Sequence, residues 1–192
     1  GEKHAGGSSW SDPKDITKFV LIDAAQTGGA KILRFEGGWK NYWAGGGWNW
    51  TNWQGPGSDI TSFDFLTVTI RKAEGEQLKD VWVQLADAAN KTSPQVKLVG
   101  AEIVKELPAE FMTVSIPLKL LTGGADFKSV CSLNIGLVPG SADGRGAVEI
   151  SRIQFDGNRF AIGKLPVTKL CQRACAKSQL ANHARLFPEQ QP

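Results

Sequence analysis

Apolar and polar residues alternate with a period of two through most of the first 156 residues, a pattern typical of half-buried β-strands. In the run FLTVTIRK, residues 65–72, the large aliphatic side chains share one face, and threonine and arginine share the other. The same pattern predicts eight strands: Lys18–Asp23, Lys31–Glu36, Phe65–Lys72, Asp80–Ala86, Gln95–Val99, Phe111–Leu118, Ser132–Val138 and Ala147–Phe155.

The last predicted strand contains an irregularity. Val148 and Ile150 share one parity, whereas Ile153 and Phe155 share the other. One extra residue in a strand shifts the parity of all residues that follow it. The sequence therefore predicts a β-bulge near Ser151–Arg152.

Turn-forming segments separate the strands at nearly regular spacing, for example QGPGSD, KAEGEQ and LTGGAD. Helical periodicity is almost absent before residue 158, apart from a single turn at Leu118–Leu121. Short strands without intervening helices predict an all-β, antiparallel β-sandwich of jelly-roll or Greek-key type, with about 8–10 strands in two sheets. The outer face of each sheet is expected to meet water, and function is expected there.

The alternation divides the chain into an N-terminal extension at residues 1–15, a sandwich at 16–157 and a tail at 158–192. Up to residue 156 there are 16 Lys and Arg against 18 Asp and Glu, whereas the remainder has six against one. The basic charge thus belongs to the tail. We expect that tail to be a helix over roughly Val167–Leu186, a linker or vector-derived sequence.

The charge and hydropathy patterns argue against two classes of partner. A nucleic-acid-binding face needs an excess of Lys and Arg, and the predicted sandwich has none. No apolar run approaches the roughly 18 residues of a membrane span. The first 15 residues are polar and predict no signal peptide.

The three cysteines do not form a metal-binding pattern. Cys131 lies in an apolar strand and is expected to be buried. Cys171 and Cys175 are in the tail, where only His183 is close in sequence. Free thiols or an incidental disulfide fit these two better than zinc, which needs four ligands.

An unusual aromatic cluster occupies residues 39–53, which contain five of the seven tryptophans and the only tyrosine, Tyr42. The residues between them are mostly glycine, asparagine and threonine, without the leucine, isoleucine or valine of a core segment. Glycine allows a ligand to approach the backbone, and an indole offers a broad apolar face. Sugars need this combination, because the C–H face of a pyranose stacks on indole while its hydroxyl groups pair with amides.

A structural interpretation of the same cluster stays open, since tryptophans also fill sandwich cores. Trp48 and Trp50 are the core candidates, because alternation puts both on one face. Trp82 differs from them: its neighbours Val81 and Val83 occupy the core face, so its indole points outward. Trp10 lies in a polar stretch and is expected to anchor the N-terminus.

The order of these segments resembles the carbohydrate-binding modules with a galactose-binding-like jelly-roll fold, of the glucan-binding kind. The resemblance covers roughly residues 16–157. It rests on GGWKNYWAGGGWNW, FDFLTVTIRK, VWVQLADAANKTS, FMTVSIPLKLL, SVCSLNIGLVPG and AVEISRIQFDG, in that order. Such modules are non-catalytic and bind plant β-glucans such as cellulose chains, mixed-linkage glucan or xyloglucan. They are usually attached to secreted glycoside hydrolases, so the resemblance implies an extracellular protein whose partner is a plant cell-wall polysaccharide.

The resemblance also implies a set of binding residues. Trp82 and Gln84 would line a groove on the exposed sheet, with Asn134 on a neighbouring strand. Arg71 would donate hydrogen bonds to sugar hydroxyls, although a solvated charge is an equal alternative for it. A wall or platform would come from the aromatic segment, namely Trp39, Tyr42, Trp43 and Trp53.

Jelly-roll modules often carry one structural calcium near the chain ends, and calcium takes oxygen ligands. Asp23, Glu36 and Asp156 are the carboxylates at suitable strand ends. An ordinary surface role is the alternative for each. No other cofactor is expected.

Two other functions compete with sugar binding. A glycosidase needs two carboxylates facing each other across a cleft, and the sequence brings no such pair together. The candidate carboxylates are Glu36, Asp64, Asp87, Glu102, Glu106 and Glu149. A protein-binding sandwich would also expose aromatics, but it usually mixes them with leucine, isoleucine or methionine. The sequence therefore favours a binding module over an enzyme or an adhesion domain.

Overall fold

The chain forms two antiparallel β-sheets packed face to face. In this computed structural model, residues 2–4, 7–23, 31–39, 43–73, 78–140 and 144–157 are described. Within these ranges the strands are β1 (Glu2–His4), β2 (Gly7–Asp12), β3 (Thr17–Asp23), β4 (Lys31–Trp39), β5 (Gly45–Asn49), β6 (Phe65–Lys72), β7 (Leu78–Asp87), β8 (Val96–Lys97), β9 (Met112–Pro117), β10 (Val130–Pro139) and β11 (Gly144–Asp156). The predicted tail, with Cys171, Cys175 and His183, lies outside the described residues.

Among the described strands, one sheet has six members in the order β1-β2-β5-β10-β7-β8, and the other has five in the order β3-β4-β11-β6-β9. Successive strands frequently change sheet, as from β2 to β3 and from β4 to β5, which is typical of a jelly roll. The predicted all-β sandwich fold is thereby confirmed. The predicted turn at Leu118–Leu121 is a short 3₁₀ helix.

The core lies between the inner faces of the two sheets and is built mainly from aliphatic residues. Phe19 and Phe35 stack with their ring centroids 4.6 Å apart at the paired β3 and β4 strands. On β7 and β10, Val83 and Ile135 are paired and almost completely buried. Cys131 is buried as predicted, and burial raises the pKa of its thiol, which makes the sulfur a poor nucleophile.

The register of β11 contains the predicted bulge. Ile150 pairs with Ile70, and the next pair joins Arg152 to Thr69, so Ser151 is the extra residue. The bulge returns Ile153 to the inner face opposite Val68, where it packs against the core. The parity change in the sequence therefore corresponds to a real irregularity in the ladder.

Two elements of the six-stranded sheet depart from the sequence prediction. Residues 7–12, assigned to an N-terminal extension, form β2, and Ser8 to Asp12 pair with the whole of β5. The segment Gly45–Asn49, interpreted as part of a loop, forms β5 between β2 and β10. The sandwich therefore begins before residue 16. No helix among the described residues has the length and apolar character needed to cross a membrane.

Candidate functional site

The outer surface of the six-stranded sheet carries glycines and tryptophans in two adjacent rows. Directly paired residues of antiparallel strands point to the same face of a sheet. One row runs Asp12, Gly45, Gly136 and Trp82, and the next runs Trp10, Gly47, Asn134 and Gln84. We call the surface formed by these two rows, together with Trp43, the tryptophan face.

At one end of the tryptophan face, two indoles are stacked on a glycine. Trp82 lies so close to β10 that a Cβ atom at Gly136 would overlap its ring. Trp43 stacks on Trp82 with ring centroids 5.7 Å apart and an interplanar angle of 26°. Trp82 points outward as its alternation predicts, yet only 5% of it is exposed, whereas Trp43 is 40% exposed. The surface offered to a ligand here is therefore that of Trp43, and Trp82 supports it.

Trp10 occupies the second row in a similar way. A Cβ atom at Gly47 would overlap both Trp10 Nε1 and Asn134 Oδ1, so the indole and the amide meet over bare backbone. Trp10 is absent from the predicted site residues, because it lies in a polar stretch that was expected to be outside the sandwich. The available signals were weaker than alternation, namely a tryptophan flanked by small polar residues in SSWSD and the three consecutive glycines at 45–47.

A chain of polar side chains fixes the amides of the second row. Asn134 Oδ1 accepts a hydrogen bond from Ser132 Oγ at 3.1 Å, and Asn134 Nδ2 donates to Gln84 Oε1 at 3.4 Å. Gln84 Nε2 donates to the carbonyl oxygen of Ser93 at 2.8 Å. These contacts bring Gln84 and Asn134 together, as the resemblance implied, and hold both amides in one orientation.

The loop after β5 carries a second exposed indole, that of Trp53, at 47% exposure. Asn49 Oδ1 accepts hydrogen bonds from the backbone N–H of Trp53 and from the N–H and hydroxyl groups of Thr51, all within 3.0 Å. Trp53 has a φ of 62°, in a region that bulky residues rarely adopt. Asn49 is fully buried, so it anchors this conformation from beneath.

The other four aromatic residues of the segment 39–53 have different outcomes. Trp39 is 2% exposed and belongs to the hydrophobic core, so its assignment to the binding wall is wrong. It ends β4, and its β11 partner is Gly144. The core candidates Trp48 and Trp50 both pack, partly buried, against the hydrophobic core. Tyr42 lies outside the described residues.

Arg71 belongs to the opposite side of the molecule. It lies on β6 of the five-stranded sheet, where it pairs with Glu149 of β11. Its Nε donates to Glu149 Oε2 at 2.8 Å, and its guanidinium carbon lies 4.5 Å from the centroid of the Phe111 ring. The structure therefore separates Arg71 from Trp82 and Gln84, because alternation gives the face of a strand but not the sheet that contains it. The hydrogen bonds from Arg71 to sugar hydroxyls stay a prediction.

Glu149 is the centre of a charge network across the five-stranded sheet. Arg34 Nη1 donates to Glu149 Oε1 at 2.6 Å, and Arg34 also pairs with Glu36, which pairs with Lys18 at 2.9 Å. Burial alone raises the pKa of a carboxyl group, but hydrogen bonds and charge from Arg71 and Arg34 outweigh it, so the pKa of Glu149 lies below its usual value. Both acids of this network act as ion-pair partners.

Two of the three carboxylates proposed for calcium, Glu36 and Asp156, lie at different ends of the five-stranded sheet and have protein partners. Glu36 pairs with Arg34 and Lys18, and Asp156 accepts a hydrogen bond from Gln154 Nε2 at the far end of β11. The side chain of Asp23 lies outside the described part of the chain. Across the described residues, no three His, Cys, Asp or Glu side chains gather as a metal site would require.

Two carboxylates considered for catalysis have structural bonds instead. Glu149 is held by two arginines, as described above. Asp87 is buried and accepts hydrogen bonds from the backbone N–H groups of Ala89, Lys91 and Asp126, each at 2.9 Å. Asp87 therefore links the turn that contains Ala89 and Lys91 to the loop that contains Asp126.

Comparison with known proteins bears on the fold. No protein-family model and no curated protein matches the sequence. Among solved structures, the chain is similar to the family 30 carbohydrate-binding module of cellulosomal cellulase Cel9D-Cel44B from Clostridium thermocellum. The TM-score is 0.59 at 16% identity, covering 82% of this chain and 95% of that one.

Two further structures give the same result. The module CtCBM11 matches with a TM-score of 0.53 at 12% identity, over 81% of this chain and 91% of that one. A β-1,2-glucanase from Parabacteroides distasonis matches with a TM-score of 0.54 at 12% identity, over 80% of this chain and 23% of the enzyme. At these identities the similarity establishes the fold. The chain has the antiparallel β-sandwich fold of carbohydrate-binding modules.

Proposed function

We propose that the protein is a non-catalytic carbohydrate-binding module and that its tryptophan face is the binding site. The observation that carries the proposal is the stack of Trp43 on Trp82 over the bare backbone of Gly136, which presents one flat, exposed indole. The fold of the structural neighbours supports it, since several of them are carbohydrate-binding modules.

The chemistry of the face suits a neutral sugar. An indole face binds the C–H face of a pyranose ring without requiring the burial of charge. A stacking contact contributes about 0.5–1.5 kcal/mol beyond the area it buries, so two or three contacts and a few hydrogen bonds support micromolar to millimolar affinity. Trp43 and Trp53 lie beyond opposite ends of β5, whose first and last residues are about 13 Å apart at 3.3 Å per residue. Together they suit an extended oligosaccharide.

The glycan that we propose is a β-linked glucan, such as a cellulose chain, mixed-linkage glucan or xyloglucan. In a β-glucosyl unit every ring substituent is equatorial, so both ring faces present C–H groups to an indole. One structural neighbour is a module of a cellulase and another is a β-1,2-glucanase, and both names refer to β-linked glucans. Secretion, attachment to a glycoside hydrolase and a plant cell-wall target are parts of this proposal.

Native affinity electrophoresis against a panel of soluble polysaccharides tests the proposal. We expect a β-glucan to retard the parent protein and Trp43→Ala to weaken this retardation about tenfold, because about 1.4 kcal/mol of binding free energy is lost. Phe65→Ala is the matched control, since Phe65 is 38% exposed but lies on the five-stranded sheet.

Equal retardation of Trp43→Ala and Phe65→Ala would show that the tryptophan face is not the site. Absence of retardation by every glycan, with a folded sample, would refute sugar binding itself and direct attention to a protein partner.

A further inference from the structure

The exposed indole of Trp43 is held at a second point besides its stack. Trp43 Nε1 donates a hydrogen bond to Asp12 Oδ2 at 2.9 Å. Asp12 is the exposed last residue of β2 and pairs with Gly45, two residues after Trp43. The hydrogen bond therefore links the end of β2 to the segment that leads into β5.

The two contacts restrict different motions of the ring. The stack on Trp82 fixes the plane of the Trp43 indole, but stacked rings still slide and rotate within that plane. A hydrogen bond from the ring N–H to a carboxylate fixes the rotation, and hydrogen bonds to a charged acceptor are stronger than neutral ones. Gly45 leaves room for this arrangement, since a Cβ atom there would lie 3.1 Å from Trp43 Cζ2 and 3.4 Å from Trp82 Cζ2.

The hydrogen bond to Asp12 also decides what Trp43 offers to a ligand. An indole has one donor, and in Trp43 this donor is already used by Asp12. The exposed face of Trp43 is thus purely apolar, and its contribution to binding is stacking. A flexible aromatic side chain would lose conformational freedom when a ligand orders it, whereas a ring fixed in advance does not.

We infer that Asp12 is a positioning residue of the proposed glycan site, which holds the indole of Trp43 in its stacked orientation before the ligand arrives. The binding part of this inference rests on the proposed function. The positioning part concerns the free protein and is tested without a ligand.

Circular dichroism of the full chain provides the ligand-free test. Two stacked indoles 5.7 Å apart couple their electronic transitions and produce a far-ultraviolet couplet, which Trp43→Ala identifies by its loss. We expect Asp12→Ala to reduce this couplet by about half or more, because the ring is no longer fixed. Asp12→Asn keeps a carbonyl oxygen as acceptor and is expected to retain most of it. Asp15→Ala removes an exposed charge from the following turn and serves as the matched control.

Affinity for the β-glucan identified by electrophoresis provides the second test. We expect Asp12→Ala to weaken binding about fivefold and Asp12→Asn to restore it to within about twofold of the parent. Trp43→Phe keeps an aromatic ring but has no N–H group. If Asp12 acts through that N–H, Asp12→Ala causes no further loss of affinity in the Trp43→Phe background.

The outcomes separate the two proposals. An unchanged couplet in a folded Asp12→Ala variant overturns the positioning role, and so does an additive loss of affinity in the double variant. If no glycan binds the parent, the proposed function fails, and the couplet still decides the role of Asp12. Should Asp12→Ala not fold, Asp12→Ser replaces it, because the shorter side chain does not reach the indole.

Discussion

Single glycines decide where the indoles of this protein lie. Trp82 rests on Gly136 and Trp10 rests on Gly47, and in both places a Cβ atom would occupy the same space as the ring. A glycine in the middle of a strand normally weakens it, because it adds backbone entropy to the unfolded state and has no side chain to pack. Here the missing side chain is what allows an indole to lie flat on the sheet.

Gly136→Ala adds one methyl group beneath Trp82 and tests whether the indole needs a glycine there. The added Cβ atom overlaps the Trp82 ring and displaces it, so that Trp43 loses the ring on which it stacks. We expect the free energy of unfolding to fall by about 1–3 kcal/mol, the usual cost of overpacking, as measured by urea denaturation. We also expect the indole couplet in the circular dichroism spectrum to decrease.

Gly100→Ala is the control for that experiment, because Gly100 lies in an exposed turn and an added Cβ atom would be 3.2 Å from its nearest neighbour, Lys97 Cβ, without overlapping a ring. A Gly136→Ala protein as stable as Gly100→Ala, with its couplet intact, would contradict the close packing of Trp82 on β10.

At the scale of elements, the two sheets use their outer faces differently. The six-stranded sheet carries tryptophans, glycines and amides, whereas the five-stranded sheet carries a network that joins Lys18, Glu36, Arg34, Glu149 and Arg71 across β3, β4, β11 and β6. Glu149 is nearly buried between its two arginines, which are about a quarter exposed. This network stabilises the sheet opposite the proposed binding site.

The network predicts a loss of stability in acid. The pKa of Glu149 and that of Glu36 are both lower in the folded protein than their usual values, since burial, which raises them, is outweighed by the cationic partners. A lowered folded-state pKa stabilises the protein fully above the unfolded-state value of about 4.3, and this contribution is lost as the pH falls from that value through the lower folded-state pKa. We expect the free energy of unfolding to decrease below about pH 5.

Glu149→Gln measures the share of Glu149 in this effect by denaturation at several pH values. We expect the substitution to cost about 1–3 kcal/mol at neutral pH, less than for fully buried pairs because the arginines regain water. The difference from the parent should shrink as the pH falls towards 3. Glu110→Gln, in an exposed loop, is the control, and a pH-independent cost in Glu149→Gln would contradict the ionic explanation.

At the scale of the whole molecule, the excess of basic residues and the proposed binding site lie in different parts of the chain. The segment up to residue 156 has 16 basic and 18 acidic residues, and the basic excess lies after it. On the tryptophan face, Asp12 is at one end of its row, and Lys97 is paired with Trp82 at the other. Stacking between an indole and a neutral sugar needs no ion pair, so its strength should not depend on salt.

Ionic strength therefore distinguishes the proposed site from adsorption through the basic tail. Raising the salt concentration from about 0.05 to 0.5 M shortens the range of electrostatic forces severalfold. We expect the affinity for a neutral β-glucan to change by less than about twofold, measured by affinity electrophoresis or calorimetry. Heparin, as a polyanion control, should lose any binding over the same range. A steep salt dependence of glucan binding would contradict the stacking mechanism.

Strands with strict alternation were predictable because burial of one face imposes a period of two. This applies to Phe65–Lys72 and Ser132–Val138, and even the bulge at Ser151 follows from a change of parity. Strands β2 and β5 were not predictable in this way. Their sequences, GSSWSD and GGGWN, contain almost no aliphatic residues, and their pairing with each other and with β10 is a long-range property.

The sequence by itself determined that the protein is an all-β sandwich, because alternation and regular turns admit few other architectures. It also determined that the segment from Trp39 to Trp53 is unusually rich in indoles and glycines. Tertiary structure alone decided which indoles are exposed: it buried Trp39 in the core, put Arg71 on the opposite sheet and brought Asp12 to Trp43. The physical reason is that alternation fixes the direction of a side chain relative to its strand, whereas the neighbours it meets depend on the pairing of strands distant in sequence.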